Sequence, residues 1–450
     1  MTFIDNITIQ PTAGQTNVIF LGKQLYESWK LGSFSDLKLK CGPVKQPVSC
    51  ISDSNINKDQ LICDPQLLQQ FHLPAEPQPL RLTFDSENEV LEIGPVVAVL
   101  TLLKGNAFEG SLVSYCEELA RYSEKEHVLF YVFTLRDWRR DSVVGYVRRH
   151  NSWDRRELPP PNVIHNRIGQ RRLEQLPATE RFFQSLPEKN IAVFNARFLD
   201  KWEVHEKLAA HPELIPYIPE TVLYENKKSL KDLVEQYPCV FLKPAAGSQG
   251  KQIFRIHRKE NHFELDYTTF NGDIERHFST FEELYRTVWS RIQQQQYIIQ
   301  QGLSLLEFRK RPLDFRMLCN KGQTGDWKVV SGVARVSDEE QFVSNLAQGG
   351  KSYPVRDVLQ ETFHEKHARQ IRKLLGELAL ETANLISLET EGLYGELGID
   401  LALDQQGKPW ILEVNTKPSK DLDPSREQSV RPSARAVIDY SCYLAGFSNI

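Results

Sequence analysis

The chain has 450 residues, a net charge of −4, and 25% charged against 40% hydrophobic residues. This is the balance of an ordinary soluble globular protein, without the overall positive charge that would point to nucleic acid. The length exceeds what one hydrophobic core usually serves, so two or three domains are expected. The longest apolar run, residues 95–103, falls well short of the roughly 20 residues a membrane span needs. The N-terminus has no basic segment followed by an apolar one, so no secretory signal is read there. Seven scattered cysteines lack metal-ligand spacing and read as reduced thiols of a cytoplasmic compartment.

Residues 1–90 alternate in short segments such as 17–21 and 80–84, punctuated by Pro, Gly, Asp and Asn, which predicts a β-rich N-terminal domain. From residue 91 the texture changes. "IGPVVAVLT" reads as one strand buried on both faces. A helix around 110–124 follows, then strands in "HVLFYVFTL" (127–135) and "VVGYV" (143–147), so residues 91–190 predict a small α/β unit with parallel pairing. Arginines 136, 139, 140, 148, 149, 155, 156, 171 and 172 read either as solvated faces or as a wall for an anionic substrate.

Residues 191–450 are the most patterned part. A helix is predicted over 195–212, with Asn195 or Asp200 as its cap, and a shorter one over 229–238. Strand 239–244 follows, then helix 281–295, strand 297–301 and a long amphipathic helix over 364–386. "GELGIDLALDQQGKPWILEVN" (395–415) reads as a hairpin around Gln405-Gln-Gly-Lys408. With Asp404 opposite Pro409, the register pairs Leu403 with Trp410 and Asp400 with Glu413. Two opposed carboxylates repel unless a cation lies between them. Asn415 shares the face of Glu413, and two acids plus an amide oxygen form a hard-oxygen set suited to Mg²⁺. Alternatively the acids belong to a solvated edge.

"FLKPAAGSQGKQI" (241–253) places Lys243 at a strand end before a loop of small residues, whose backbone N–H groups can approach an anion closely. The spacing fits neither a Walker A loop nor a dinucleotide fingerprint. Taken together, Asp200-Lys201, "LKPAAGSQG" (242–250), "IIQQGL" (298–303), "DFRML" (314–318), "SNLAQGG" (344–350) and "GIDLAL…WILEVNTKP" (398–418) resemble an ATP-grasp domain with RimK-like motifs. With "VIHNRI" (163–168) the pattern is most similar to the YheC/YheD-like endospore-coat-associated family. The resemblance implies an α/β and α+β multidomain chain: an ATP-grasp fold preceded by a small α/β (pre-ATP-grasp) unit and the β-rich N-terminal domain.

In that fold two β-rich subdomains close on ATP, with Mg²⁺ or Mn²⁺ as the metal. The resemblance makes Lys201 and Lys243 phosphate contacts, and Ser248, Gln249 and Gly250 the covering loop. Gln300, Gln301 and Leu303 become the adenine-reading hinge, and Asn345 a contact to the γ-phosphate or a metal. Arg316 and Arg335 match arginines near the transferred phosphoryl group, and Asp400, Glu413 and Asn415 match the metal ligands. The implied activity is ATP-dependent ligation of an unidentified carboxylate to a nucleophile, in a cytoplasmic protein linked to the spore coat and its proteins. A nucleotide-binding coat component without ligase activity, and a kinase on the same fold, are the alternatives. Gln348 stands where RimK-like enzymes carry an arginine, which puts one phosphate contact in doubt.

Overall fold

The computed structural model describes residues 2–103, 111–149, 152–247, 252–269, 272–293, 295–337, 351–420 and 429–448, and the described strands form four sheets. The first sheet runs in spatial order Val44–Pro47, Lys38–Cys41, Val90–Gly94, Gln78–Asp85, Thr2–Pro11, Gln60–Cys63, Val18–Gly22 and Ser49–Asp53. The second runs Ser152–Leu158, Val143–Arg149, Leu129–Phe133, Val96–Leu100, Val163–Asn166 and Ala192–Phe194. Its four central-to-edge strands from Leu129–Phe133 to Ala192–Phe194 pair in parallel, as the strand–helix–strand pattern predicts.

The run 93–101 is not one strand. Val90–Gly94 belongs to the first sheet and Val96–Leu100 to the second. Pro95 between them has no N–H for a ladder, so the chain changes sheets there without losing a hydrogen bond. Both halves are fully buried, and one continuous core runs from Ile7 through Ile93 and Val96 to Ile191.

The third sheet runs Thr221–Leu223, Tyr297–Gln301, Cys239–Pro244, Phe254–Arg258, Phe263–Thr269 and Gly272–Phe278. Helices Lys227–Gln236 and Phe281–Ile292 cover one face, where Leu230, Leu233, Leu284 and Val288 pack on Val240, Leu242, Ile256 and Leu265. Alternation leaves Phe241 and Lys243 on the other face.

The fourth sheet runs Lys351–Pro354, Trp327–Val336, Arg311–Lys321, Glu396–Leu403 and Pro409–Asn415, with Glu307–Phe308 pairing beside Arg311–Lys321. Helix Glu365–Glu389 backs it, burying Ile371, Leu375, Leu378 and Ile386 against Phe315, Ile399 and Leu401. The last helix, Pro432–Leu444, returns to the second sheet and packs Val437 and Ile438 with Val97, Val99 and Leu119. No described helix is long and apolar enough to cross a membrane.

Candidate nucleotide site

The third and fourth sheets meet through Lys201. Its helix, Lys201–Ala209, begins where the Asp200 carboxylate accepts from the Glu203 N–H at 2.8 Å, so Asp200 is the cap and the helix starts later than predicted. The Lys201 backbone N–H donates to Ala245 O at 2.8 Å, fastening the helix to the end of strand Cys239–Pro244. Its ammonium donates to Gly247 O at 2.8 Å and to Glu413 Oε1 at 2.9 Å. One side chain thus joins the start of the small-residue loop to the acidic hairpin of the other sheet.

Lys243 stands on the helix-free face of the third sheet and donates to Gln300 Oε1 at 2.6 Å. Gln300 in turn donates to Thr221 Oγ1 at 3.0 Å, so two neighbouring strands orient the lysine. Burial pushes the Lys243 ammonium down to about 8, against the pull of the nearby Glu413 carboxylate, and Lys201 pushes the same way as burial.

The joint between the sheets is Gln301–Leu303. Gln301 donates its N–H to Glu220 O at 2.8 Å, and Gly302 donates to Cys239 O at 2.8 Å. A Cβ on Gly302 would fall 2.5 Å from Cys239 Sγ, so glycine is what lets the joint lie this close to the strand. Leu303 O accepts from Leu305 N at 3.1 Å.

In the hairpin, Asp400 opposes Glu413 and Gly398 opposes Asn415. The turn differs from the expected one: Leu403, not Asp404, pairs with Pro409, and Ala402 pairs with Trp410. Asp404 instead closes the turn, its Oδ1 accepting from Gln406 N at 3.0 Å and Lys408 N at 2.9 Å. A bulge places Leu412 between the Leu401–Ile411 and Asp400–Glu413 pairs and brings the register back.

Asp400 is buried and surrounded. Arg316 grips it with two nitrogens, Nη2 at 2.8 Å, Arg335 Nη2 reaches Oδ2 at 3.0 Å, and Asn415 Nδ2 lies at 3.3 Å. Arg335 also holds Asp314 with Nε at 2.5 Å and Nη2 at 2.7 Å. Burial pushes the Asp400 carboxyl up, but Arg316 and Arg335 outweigh it and hold it below the usual carboxylate range. The two arginines and two aspartates cancel in charge, and Nη1 of each arginine has no partner among the described residues.

The oxygen donors fit a hard cation in kind. Glu413 lends one oxygen to Lys201, and Asn415 turns its nitrogen to Asp400, which leaves its amide oxygen without a partner among the described residues. Ser248, Gln249, Gly250 and Asn345, like Gln348, lie outside the described residues.

Sequence reading missed several supports. Asn195 does not cap a helix. Its Oδ1 accepts from Gly395 N at 3.1 Å and Glu396 N at 3.2 Å, while Nδ2 donates to Glu396 O at 2.6 Å and Thr416 O at 2.5 Å. It thereby clips both strands of the hairpin. Arg167 of "VIHNRI" reaches Glu396 Oε1 at 3.2 Å and Pro418 O at 2.9 Å, tying the hairpin to the second sheet. Lys417 pairs with buried Glu174 and donates to Ile168 O at 3.1 Å. Most of the other arginines form surface pairs, such as Arg148–Glu124 at 3.1 Å and Arg139–Glu157 at 3.2 Å. Arg171 instead lies within the field of Asp200, Glu203 and Glu413.

Two sheets joined at Gln301–Leu303, with Lys243 on one, an acidic hairpin on the other and Lys201 on a helix start between them, define the ATP-grasp class. The chain belongs to the YheC/D-like ATP-grasp family, whose profile matches residues 190–444. It is 26% identical over 400 residues to the endospore coat-associated protein YheD of Bacillus subtilis (strain 168), covering 83% of this chain and 84% of that one. To YheC of the same organism it is 24% identical over 314 residues, covering 68% and 85%. Among solved structures it is similar to the D-alanyl-alanine synthetase A of Vibrio cholerae O1 biovar eltor str. N16961 (TM-score 0.46, 16% identity, 78% of this chain and 99% of that one). It is also similar to the ATP-grasp ligase PsnB complexed with minimal precursor (TM-score 0.43, 14% identity, 78% and 99%).

Proposed function

We propose that this chain is an ATP-dependent ligase that joins a carboxylate to an amine or other nucleophile through an acyl-phosphate. The observation that carries the reading is the Lys201 bridge from Gly247 O to Glu413 Oε1, with Lys243 on the facing sheet. Lys201 and Lys243 bind the phosphates, with Ser248, Gln249 and Gly250 closing over them and Asn345 reaching the γ-phosphate. The joint of Gln300, Gln301 and Leu303 receives the adenine.

Asp400, Glu413 and Asn415 would hold Mg²⁺ or Mn²⁺, which when bound neutralises and orients the phosphate oxygens. A substrate carboxylate oxygen bonds to the γ-phosphorus. The bond from that phosphorus to the β–γ bridging oxygen breaks, and ADP leaves with its electron pair. The nucleophile then attacks the acyl carbon, phosphate departs, and the nucleophile's proton passes to solvent. Nη1 of Arg316 and of Arg335 stabilises the charge that builds on the transferred phosphoryl oxygens. The names of the two curated relatives, both endospore coat-associated proteins, support a role at the spore coat.

Measuring ADP release with ATP, Mg²⁺ and a panel of carboxylates, each with and without amines, tests this. Release that requires a carboxylate is expected. A second reading rests on Asp400, whose oxygens are all engaged by Arg316, Arg335 and Asn415. A protein that keeps that arrangement with ATP bound holds nucleotide without turning it over. ATP binding with no ADP release under any condition selects that reading.

A further inference from the structure

The outer edge of the third sheet carries a cluster that the nucleotide site does not use. His262, Glu264 and His277 bring one donor atom each to within 4.8 Å of one another. Glu264 and His277 oppose each other directly on strands Phe263–Thr269 and Gly272–Phe278, and His262 lies two residues before Glu264. On the other side of Glu264, strand Phe254–Arg258 opposes it with His257. Three of the chain's eleven histidines therefore surround one carboxylate.

We propose that His262, Glu264 and His277 bind a single divalent transition-metal ion of the zinc class. Two imidazoles and one carboxylate are the nitrogen and oxygen donors such ions take, with water completing the shell. Zinc holds its ligands at about 2.0–2.1 Å, which separates the donors of a tetrahedral site by about 3.4 Å. The His262 Nε2 to Glu264 Oε1 distance is already 3.2 Å. His277, the exposed member, closes the remaining gap by a side-chain rotation that moves its donor atom by at most about 1.4 Å, taking the same donor spacing.

The surroundings leave room for this. Lys259 Nζ sits 3.1 Å from Glu264 Oε2, so it holds the oxygen that His262 does not use and orients the carboxylate. Glu275 Oε1 is 3.4 Å from His277 Nε2 and offers a second carboxylate beside the site. Glu264 alternates with the core residue Leu265 and lies on the helix-free face, the face that also carries Lys243. The ion cross-links the edge hairpin and the turn before it, and so stiffens the outer half of the sheet that covers the nucleotide.

The test is zinc stoichiometry of the whole 450-residue chain by equilibrium dialysis against ZnCl₂. It compares the wild type with a His262→Ala/His277→Ala variant and a His127→Ala control. The wild type and the control are expected to bind one more equivalent than the double variant, and to gain a rise in Tm with zinc that the variant lacks. Glu264→Ala alone, at a partly exposed position, should give the same loss. Equal zinc in the wild type and both site variants overturns the proposal, as does a Tm response that is the same in all.

Discussion

Lys201 donates to Glu413 across 2.9 Å, and this contact brings a helix start beside the third sheet against the hairpin of the fourth. Between a side chain mostly buried and one about a third exposed, the pair sits where an anionic ligand can compete for the ammonium. On the proposed function, the contact holds the ammonium until the nucleotide phosphates displace Glu413 from it.

Lys201→Met should weaken ATP binding by about 10- to 150-fold, the equivalent of losing one charged hydrogen bond of about 1.5–3 kcal/mol. Nucleotide titration by fluorescence measures it. Unchanged affinity would remove Lys201 from the phosphate site.

Glu413→Gln and Asp400→Asn separate chemistry from stability. Glu413 is partly exposed, so its amide variant should keep the wild-type Tm while losing ADP release. Asp400 is the buried counter-charge of two arginines, and removing it leaves Asp314 to neutralise both. That should destabilise the fold by about 3–5 kcal/mol, read from denaturant unfolding. An Asp400→Asn protein as stable as Glu413→Gln would contradict the ion network described above.

Lys243 gives a pH signature. Its folded value of about 8 lies below the ordinary lysine value, so the folded protein binds fewer protons than the unfolded one above pH 8. Stability therefore rises with pH from about 8 to about 10.4 at this group. Lys417 and Lys420 are also lowered by burial to about 8 and share the window, so stability alone does not isolate Lys243. Phosphate binding does, because it needs the ammonium. ATP affinity should fall as pH passes 8, and Lys243→Arg should remove that fall. A profile identical in the two proteins would contradict the assignment.

Asn195→Ala should destabilise by about 2–4 kcal/mol, since the buried N–H groups of Gly395 and Glu396 lose their acceptor. The residue also sits at a φ of 55°, where Ala is less at ease than Asn. Thermal unfolding checks it, and a shift of less than 1 °C would show that the clip is dispensable.

Local pattern made most elements legible. Strand Cys239–Pro244 announces itself by alternation and a closing proline, and Tyr297–Gln301 by a short apolar run after an amphipathic helix. The opposed acids were readable because a hairpin has few registers. The turn was not, because Asp404 caps it through its side chain, and Ile411 and Leu412 are both apolar, so nothing in the letters marks the bulge. The Pro95 sheet change hides inside an unbroken apolar run. Asn195, Arg167 and Lys417 act on partners some 200 or more residues away, which local spacing does not encode.

The central claim is acyl-phosphate chemistry, and oxygen transfer tests it most directly. A carboxylate that stimulates ADP release is supplied with ¹⁸O in its carboxyl group, and the released phosphate is analysed by mass spectrometry. The account predicts one ¹⁸O atom in each phosphate formed, and none with Glu413→Gln because no phosphate forms. Unlabelled phosphate, or a stable phosphorylated product without ligation, would contradict it.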